Sequence, residues 1–524
     1  MAEVRTNEVS LIYTIETSIG VAGTSWRRLE PNEINSFGAT IETKARRPIS
    51  NVRGRRKGVV TKLTSEPEIV ADLTMASLED FLEGFMFSEF ANVEFDLTHP
   101  KVKGSALNAT GTGYAFGAAL STFTNGTLLA GKMVFAGGGA ITLVYAKGYL
   151  LSANNGLKAL NADVTAASTE VTVSGLSAET APANAKVWVA GLRTDDLTLT
   201  ISGSTATLVS AGDVTNLATY GLRAGQYIHI GSGATNGTVQ NAYSSNNVFG
   251  YARITSISGG TLNLDKLDSN LTGGPHSPAT IDVMFGRFSR NVAVDANSDD
   301  NRYLSRSYQM EAAWPNLGGA GITQYEYAIG NVPNELAMEE PMEDIITGKW
   351  SFVGLDSETP VTSPRKTGAS AALSPIRVAG LGSMTGLASI TTNLVSSVSD
   401  VCFKDITLSI KNNASPEGCL GELAAHNVNT GAFEISLEGQ MLFTSAAIIS
   451  AVRNNTTVTW AEILFNEDGA AAFDVPSMTI GDGSRELPQD ETVRVNLAGE
   501  SFTDATLGYD MGVSLFVGTP SIRP

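Results

Sequence analysis

Residues 126–133, GTLLAGKM, carry the glycines and lysine of a phosphate-cradling loop, in which backbone N–H groups hold phosphates and a hydroxyl after the lysine binds magnesium. Met133 stands where that hydroxyl is needed, and the neighbouring sequence is a run of short strands without a strand-to-helix context. Residues 294–301, VDANSDDN, space Asp295, Asn297 and Asp299 like the start of a calcium loop. Asp300 occupies the position that needs glycine, and Arg306 the position that needs a bidentate glutamate, so the segment reads as a solvated turn. The four histidines, His99, His229, His276 and His426, show no pair at metal-ligand spacing. Cys402 and Cys419 have no CxxC and no histidine partner at such spacing; the expectation is buried thiols, which sequence can neither pair nor separate. No GxSxG is present, and aromatic content of 7% leaves little to line a sugar-binding groove. No catalytic residue, metal or cofactor is therefore assigned.

Carboxylates in a different arrangement carry more information. Residues 64–87, TSEPEIVADLTMASLEDFLEGFMF, begin with a strand that alternates. Glu68, Asp72 and Thr74 face one way, and Ile69, Ala71, Leu73 and Met75 the other. Ser77 fits an N-cap, with Asp80 favouring the positive helix end; Leu78, Phe81, Leu82, Phe85 and Met86 then form one apolar stripe. Residues 430–454, TGAFEISLEGQMLFTSAAIISAVRN, repeat the plan. Glu434, Ser436, Glu438 and Gln440 share one face, Phe433, Ile435, Leu437 and Met441 the other, and a short helix from Ser445 carries Ile448, Ile449 and Val452. Each helix should lie on the apolar side of its sheet and leave the carboxylates open. TGKWSFVG and TGAFEISLEG also resemble one another, which supports internal duplication.

The remaining elements position these units. Residues 1–55 read as an irregular, extended entry. A basic loop follows, with Lys44, Arg46, Arg47, Arg53, Arg55, Arg56, Lys57 and Lys62 broken by Pro48, Gly54 and Gly58. It lacks the interleaved aromatics of a nucleic-acid platform, and a solvated loop or an interface loop meeting an acidic neighbour are the open readings. From about 100 to 284 charge thins, and alternating segments such as LTLTISGSTATLV and YARITSISGGTLNL predict an inserted, antiparallel all-β domain. Residues 325–354 hold an acidic loop, Glu335, Glu339, Glu340, Glu343 and Asp344, before a strand with Trp350 and Phe352. Residues 356–375 have the composition of a linker or extended arm. The expected organisation is a first module over 1–100, completed by 285–355, the insert at 101–284, the linker, and a second module over 376–524. The fold class is mainly β with short helices: duplicated β-barrel or sandwich modules plus the all-β insert.

Bulk properties agree with a folded, structural chain. Apolar residues make up 42% and charged residues 17%, and 53 glycines suit many tight turns. The net charge of −18 opposes a protein that grips phosphates and suits one that lets a polyanion pass, or simply stays soluble. No apolar run reaches transmembrane length, so no membrane partner is expected, and no signal peptide is apparent.

Taken together, these segments resemble the tail tube protein (major tail protein) of long-tailed, siphovirus-type bacteriophages. The resemblance rests on ETSIGVAGTSWRRLEPNEINSF, on the unit at 64–87, on Asn331-Val332-Pro333 and TGKWSFVG, and on ITLSIKNN, NTGAFEISLEGQMLF, VTWAEILF and PSMTIGDG towards the C-terminus. It covers roughly 1–90 and 300–515. It implies a virion tail component, made in the host cytoplasm, whose copies join into rings that stack as a hollow tube around DNA and the tape-measure protein, with tail terminator and tip proteins at the ends. The family's inner wall tends to be acidic. On this view Glu68, Asp72, Glu434 and Glu438 are candidates for the lumen. The basic loop (Arg46, Arg47, Arg53, Arg55, Arg56, Lys57) would meet the acidic loop of the next ring. Two modules per chain would make a ring of three pseudo-sixfold; six chains is the alternative. The competing reading is a β-rich tail fibre or adhesin that binds the host.

Overall fold

Alternation of residue type, read along each segment, sets which side of every strand is dry. The structure is a computed structural model and describes residues 5, 8–23, 26–46, 49, 56–90, 107–116, 118–119, 140–182, 185–214, 216–235, 238–276, 280–298, 301–317, 321–341, 344–363, 387–392, 403–466, 469–487, 489 and 492–517. GTLLAGKM, Arg47, Arg53, Arg55, Glu343 and Cys402 lie outside these residues.

The chain is mainly β, with short helices, as its composition predicts. One antiparallel sheet runs through both ends of the chain. Its path is Arg27–Leu29, Ser10–Ile15, Tyr308–Trp314, Gln324–Pro341, Phe403–Lys411, Glu434–Leu442, Arg494–Ser501, Gly469–Glu486, Thr457–Asn466 and Leu387–Thr392. Gln324–Pro341 organises it. Its first half pairs with Tyr308–Trp314 and Asp356–Val361, its second half with Thr347–Val353 and Phe403–Lys411. Pro333 lacks an N–H and sits where the register shifts, between Pro333 and Glu335, a position that tolerates the missing donor. Thr347–Val353 then pairs with Glu68–Asp72, and that strand with Glu33–Ser36. Residues 356–361, expected in a linker, thus form a paired strand, because Ser357 and Glu358 find backbone partners on the long strand.

Two helices stand on the dry side. Met75–Met86 buries Leu78, Phe81, Leu82 and Phe85 completely. Phe81 packs against Tyr13, Tyr308, Trp350 and Phe352, with ring centroids 4.7–5.7 Å apart. Such edge and tilted contacts add about 0.5–1.5 kcal/mol per pair beyond area burial. Ala447–Arg453 places Ile448 in the same apolar cluster as Phe81. Both helices therefore roof the side opposite the exposed carboxylates, and one core serves both strand–helix units.

The first helix begins earlier than its sequence suggested. Thr74, not Ser77, is the N-cap: its side chain accepts from the Ser77 N–H, and the Ser77 hydroxyl accepts in return from the Thr74 N–H. Asp80 consequently falls beyond the first turn and serves another purpose. It accepts from the Tyr13 hydroxyl at 2.7 Å and pairs with Arg27, tying the helix to the two N-terminal strands. Thr74→Ala should lower unfolding free energy by about 1 kcal/mol, read from the denaturant midpoint at unchanged slope. No change would mean that the cap is redundant.

Residues of the 101–284 stretch form a separate nine-stranded antiparallel sheet with its own apolar cluster. Arg193 and Asp282 form a bidentate pair within it. A third cluster joins it to the first sheet, mixing Leu143, Trp188, Tyr227 and Tyr251 with Ile463, Phe465 and Phe516. Glu79 on the first helix completes the junction, pairing with Lys147, Lys186 and Arg287. Among the described residues no helix is long and apolar enough to cross a membrane.

Candidate functional site

Pairing order turns separate acidic strands into one surface. Glu68 lies opposite Ser351, Ser351 opposite Glu335, Glu335 opposite Lys411, and Lys411 opposite Glu434. A second row reads Asp72, Thr347, Glu339, Thr407, Glu438 and Ala498. Between them run Val70, Lys349, Ala337, Ser409, Ser436 and Glu500. Asp405 and Gln440 extend the edge beyond Pro341. Because side chains alternate with period two, cross-strand neighbours share a face, and all of these stand on the same one. The opposite face is Ile69, Trp350, Leu336, Met338, Leu408, Ile410, Ile435 and Leu437, all buried.

The face carries eight carboxylates, Glu68, Asp72, Glu335, Glu339, Asp405, Glu434, Glu438 and Glu500, against two lysines. Lys349 pairs with Glu68 and Lys411 with Glu335, both at 3.1 Å. Glu339, Glu434 and Glu438 are exposed, and among the described residues no cation pairs with them. Burial opposes ionisation of Glu68, but a hydrogen bond from Asn35 and the Lys349 ammonium outweigh it and hold its carboxyl below the usual range. Glu68 is therefore held in its charged form. The field of this acidic plate extends about 8 Å at physiological salt, far enough to push away a phosphate backbone without binding it.

The structure thus brings Glu68, Asp72, Glu434 and Glu438 together, although they come from opposite ends of the chain. It also redraws the acidic loop. Glu335 and Glu339 are not in a loop; they are strand residues in the middle of this face. Glu340, next along the strand, must point the other way and is buried at 7% exposure beside Glu462, so it cannot meet a partner at the surface. Asp344 is exposed in the turn. Asp405 and Glu500 were missed as members of the face; alternation in FKDITLSIKNN opposes Asp405 to Ile406, but only the strand order reveals its neighbours.

The described parts of the basic segment are strands. Ala39–Arg46 and Arg56–Ser65 pair as a two-stranded ribbon, from Ala39 opposite Ser65 to Arg46 opposite Arg56, with register shifts at Glu42/Thr43 and Lys44/Arg46. Lys44, Lys57 and Lys62 are exposed, as are Ile41, Val59 and Val60. The ribbon is anchored at its root, where the Leu63 N–H donates to the Leu423 carbonyl and Ser65 bridges to Gly354. A two-stranded ribbon with apolar side chains in solvent is marginal alone, and calls for a covering surface.

Residues 276–501 match the family model described as phage tail tube protein. Over that span the chain is similar to the phage tail tube proteins. No curated protein matches the chain. The tail tube match includes five strands of the acidic face, Gln324–Pro341, Thr347–Val353, Phe403–Lys411, Glu434–Leu442 and Arg494–Ser501. Glu68–Asp72 lies outside it in sequence, yet pairs directly with Thr347–Val353 inside the matched span.

Proposed function

We propose that this structural tail tube protein self-assembles into stacked rings whose acidic sheet face lines the bore through which double-stranded DNA passes. The observation that carries the reading is the continuity of the plate from Glu68 to Glu500 over a buried, mostly apolar underside. A surface that is charged, flat and without a pocket of donors suits a polyanion that must slide rather than stop. Rings close because edge strands, a liability in a free protein, become the bond between copies.

Two strand–helix units over one core favour three chains per ring with pseudo-sixfold character; six chains is the alternative. Module one would comprise 1–100 and 285–355, module two 376–524, with the 101–284 domain outside the tube. The basic stretch Arg46, Arg47, Arg53, Arg55, Arg56 and Lys57 would reach the next ring, where the exposed Asp344 offers opposite charge. The tape-measure protein would occupy the bore during assembly in the host cytoplasm, and terminator and tip proteins would close the ends. No enzymatic step belongs to this reading.

A side-chain-resolution map of assembled virion tails tests it. Glu68, Glu339, Glu434 and Glu438 should face the bore, with each ribbon seated on an adjacent ring. Finding these carboxylates on the outer wall would overturn the lumen assignment. Finding the chain only at the tail tip would instead favour a host-binding fibre or adhesin.

A further inference from the structure

The hairpin Ser415–Gly418/Ala425–Asn429 ends in a turn that holds three different metal-ligating side chains together. The Sγ of Cys419, a carboxylate oxygen of Glu422 and a ring nitrogen of His426 all lie within 4.8 Å of one another. The His426 Nδ1 and Glu422 Oε2 are 3.1 Å apart. All three residues are exposed, so an ion has an open path to them. We propose that Cys419, Glu422 and His426 form a zinc site with three protein ligands and water in the fourth position.

The geometry supports this choice of ion. Zinc takes thiolate sulfur at about 2.3 Å and nitrogen or oxygen at about 2.0–2.2 Å, which puts tetrahedral ligand atoms roughly 3.3–3.5 Å apart. The nitrogen–oxygen pair, at 3.1 Å, is slightly inside that spacing, and the sulfur lies within 4.8 Å of both atoms. The thiol loses its proton to solvent, and His426 binds as the neutral ring through Nδ1. A calcium or magnesium ion would not select this set, since both prefer an all-oxygen shell.

The turn is held before any ion arrives. Three main-chain hydrogen bonds set its path: the Glu422 N–H donates to the Cys419 carbonyl, the Leu423 carbonyl accepts from Leu63 at the root of the basic ribbon, and the Ala425 N–H donates to the Leu355 carbonyl. Little chain entropy remains to be lost on binding. The Cys-x2-Glu-x3-His spacing is readable in the sequence, and it corrects the expectation that Cys419 is buried and without a histidine partner.

Uptake of zinc by the purified full-length chain, competed against a chromogenic chelator, tests the site, and cobalt reports the sulfur ligand. The wild-type chain and Cys402→Ser should each bind one ion per chain and show thiolate-to-cobalt charge-transfer absorption. Cys419→Ser should lose that absorption, and Cys419→Ser and His426→Gln should each weaken zinc binding by roughly tenfold or more. Because all three positions are exposed, circular dichroism should show unchanged folding. No stoichiometric uptake by the wild-type chain, or uptake and absorption that survive Cys419→Ser, would overturn the proposal.

Discussion

Arg253→Ala is expected to destabilise the chain by about 3–5 kcal/mol, the cost of stranding a buried charge whose partner has gone. Arg253 belongs to the inserted sheet, and Asp474 to the Gly469–Glu486 strand of the tube sheet. The guanidinium Nη1 donates to both carboxylate oxygens of Asp474, at 3.0 and 2.9 Å, while Nε and Nη2 hold Asp265 at 2.9 and 2.7 Å. The Asp474 side chain is 1% exposed and that of Arg253 9%. Tyr509 and Tyr227 also donate hydroxyls to Asp474, at 3.1 and 3.4 Å. Burial pushes the Asp474 carboxyl up, and Arg253 is the largest influence opposing it. Without the arginine the carboxylate must take up a proton or stay charged in a dry place. The deficit should therefore be larger at pH 8 than at pH 5, and Asp474→Asn added to Arg253→Ala should recover part of it. Guanidinium unfolding of the wild type and both variants measures both effects. A loss under about 1 kcal/mol would mean that water reaches the junction and the insert is loosely mounted.

Glu462→Gln should act in the other direction, stabilising the chain on the order of 3 kcal/mol at pH 8 and by under about 1 kcal/mol near pH 5. Glu340 and Glu462 meet on the dry side of the sheet, from Gln324–Pro341 and Thr457–Asn466, and the Trp460 indole N–H donates to Glu462 at 2.9 Å. Burial raises the Glu462 carboxyl to about 7, against hydrogen bonds that favour its charge; burial and the charge of Glu462 raise that of Glu340 too. Between pH about 4.5 and 7 the native state holds a proton that the unfolded chain has released. Stability from this pair is thus complete below the unfolded value and falls as pH rises through 7. An amide at 462 keeps the shape, still accepts from Trp460, and cannot ionise. Urea unfolding of wild type and variant at several pH values gives the difference directly. A difference that does not vary with pH, or a variant less stable at pH 8, would refute the shared-proton picture.

Both predictions concern contacts between segments far apart in sequence, and that is where sequence reading stopped. Alternation determined which side chains of 68–72 and 434–442 would be wet and which dry, because the period of a strand is two whatever it pairs with. The apolar stripe at 78–86 determined a buried helix for the same kind of reason, although the cap moved to Thr74. The thin charge and turn-rich alternation of 101–284 marked antiparallel strands. Pairing order had no such local signal. Only the tertiary structure decided that three strands, Thr347–Val353, Gln324–Pro341 and Phe403–Lys411, lie between the two acidic strands and join them into one plate. It also split Glu339 from Glu340, one to the wet face and one to the core, and drew the basic stretch out as a ribbon. Local pattern depends on backbone geometry, which each segment carries with it; neighbourhood depends on which edges find each other, and that choice is made by the whole chain at once.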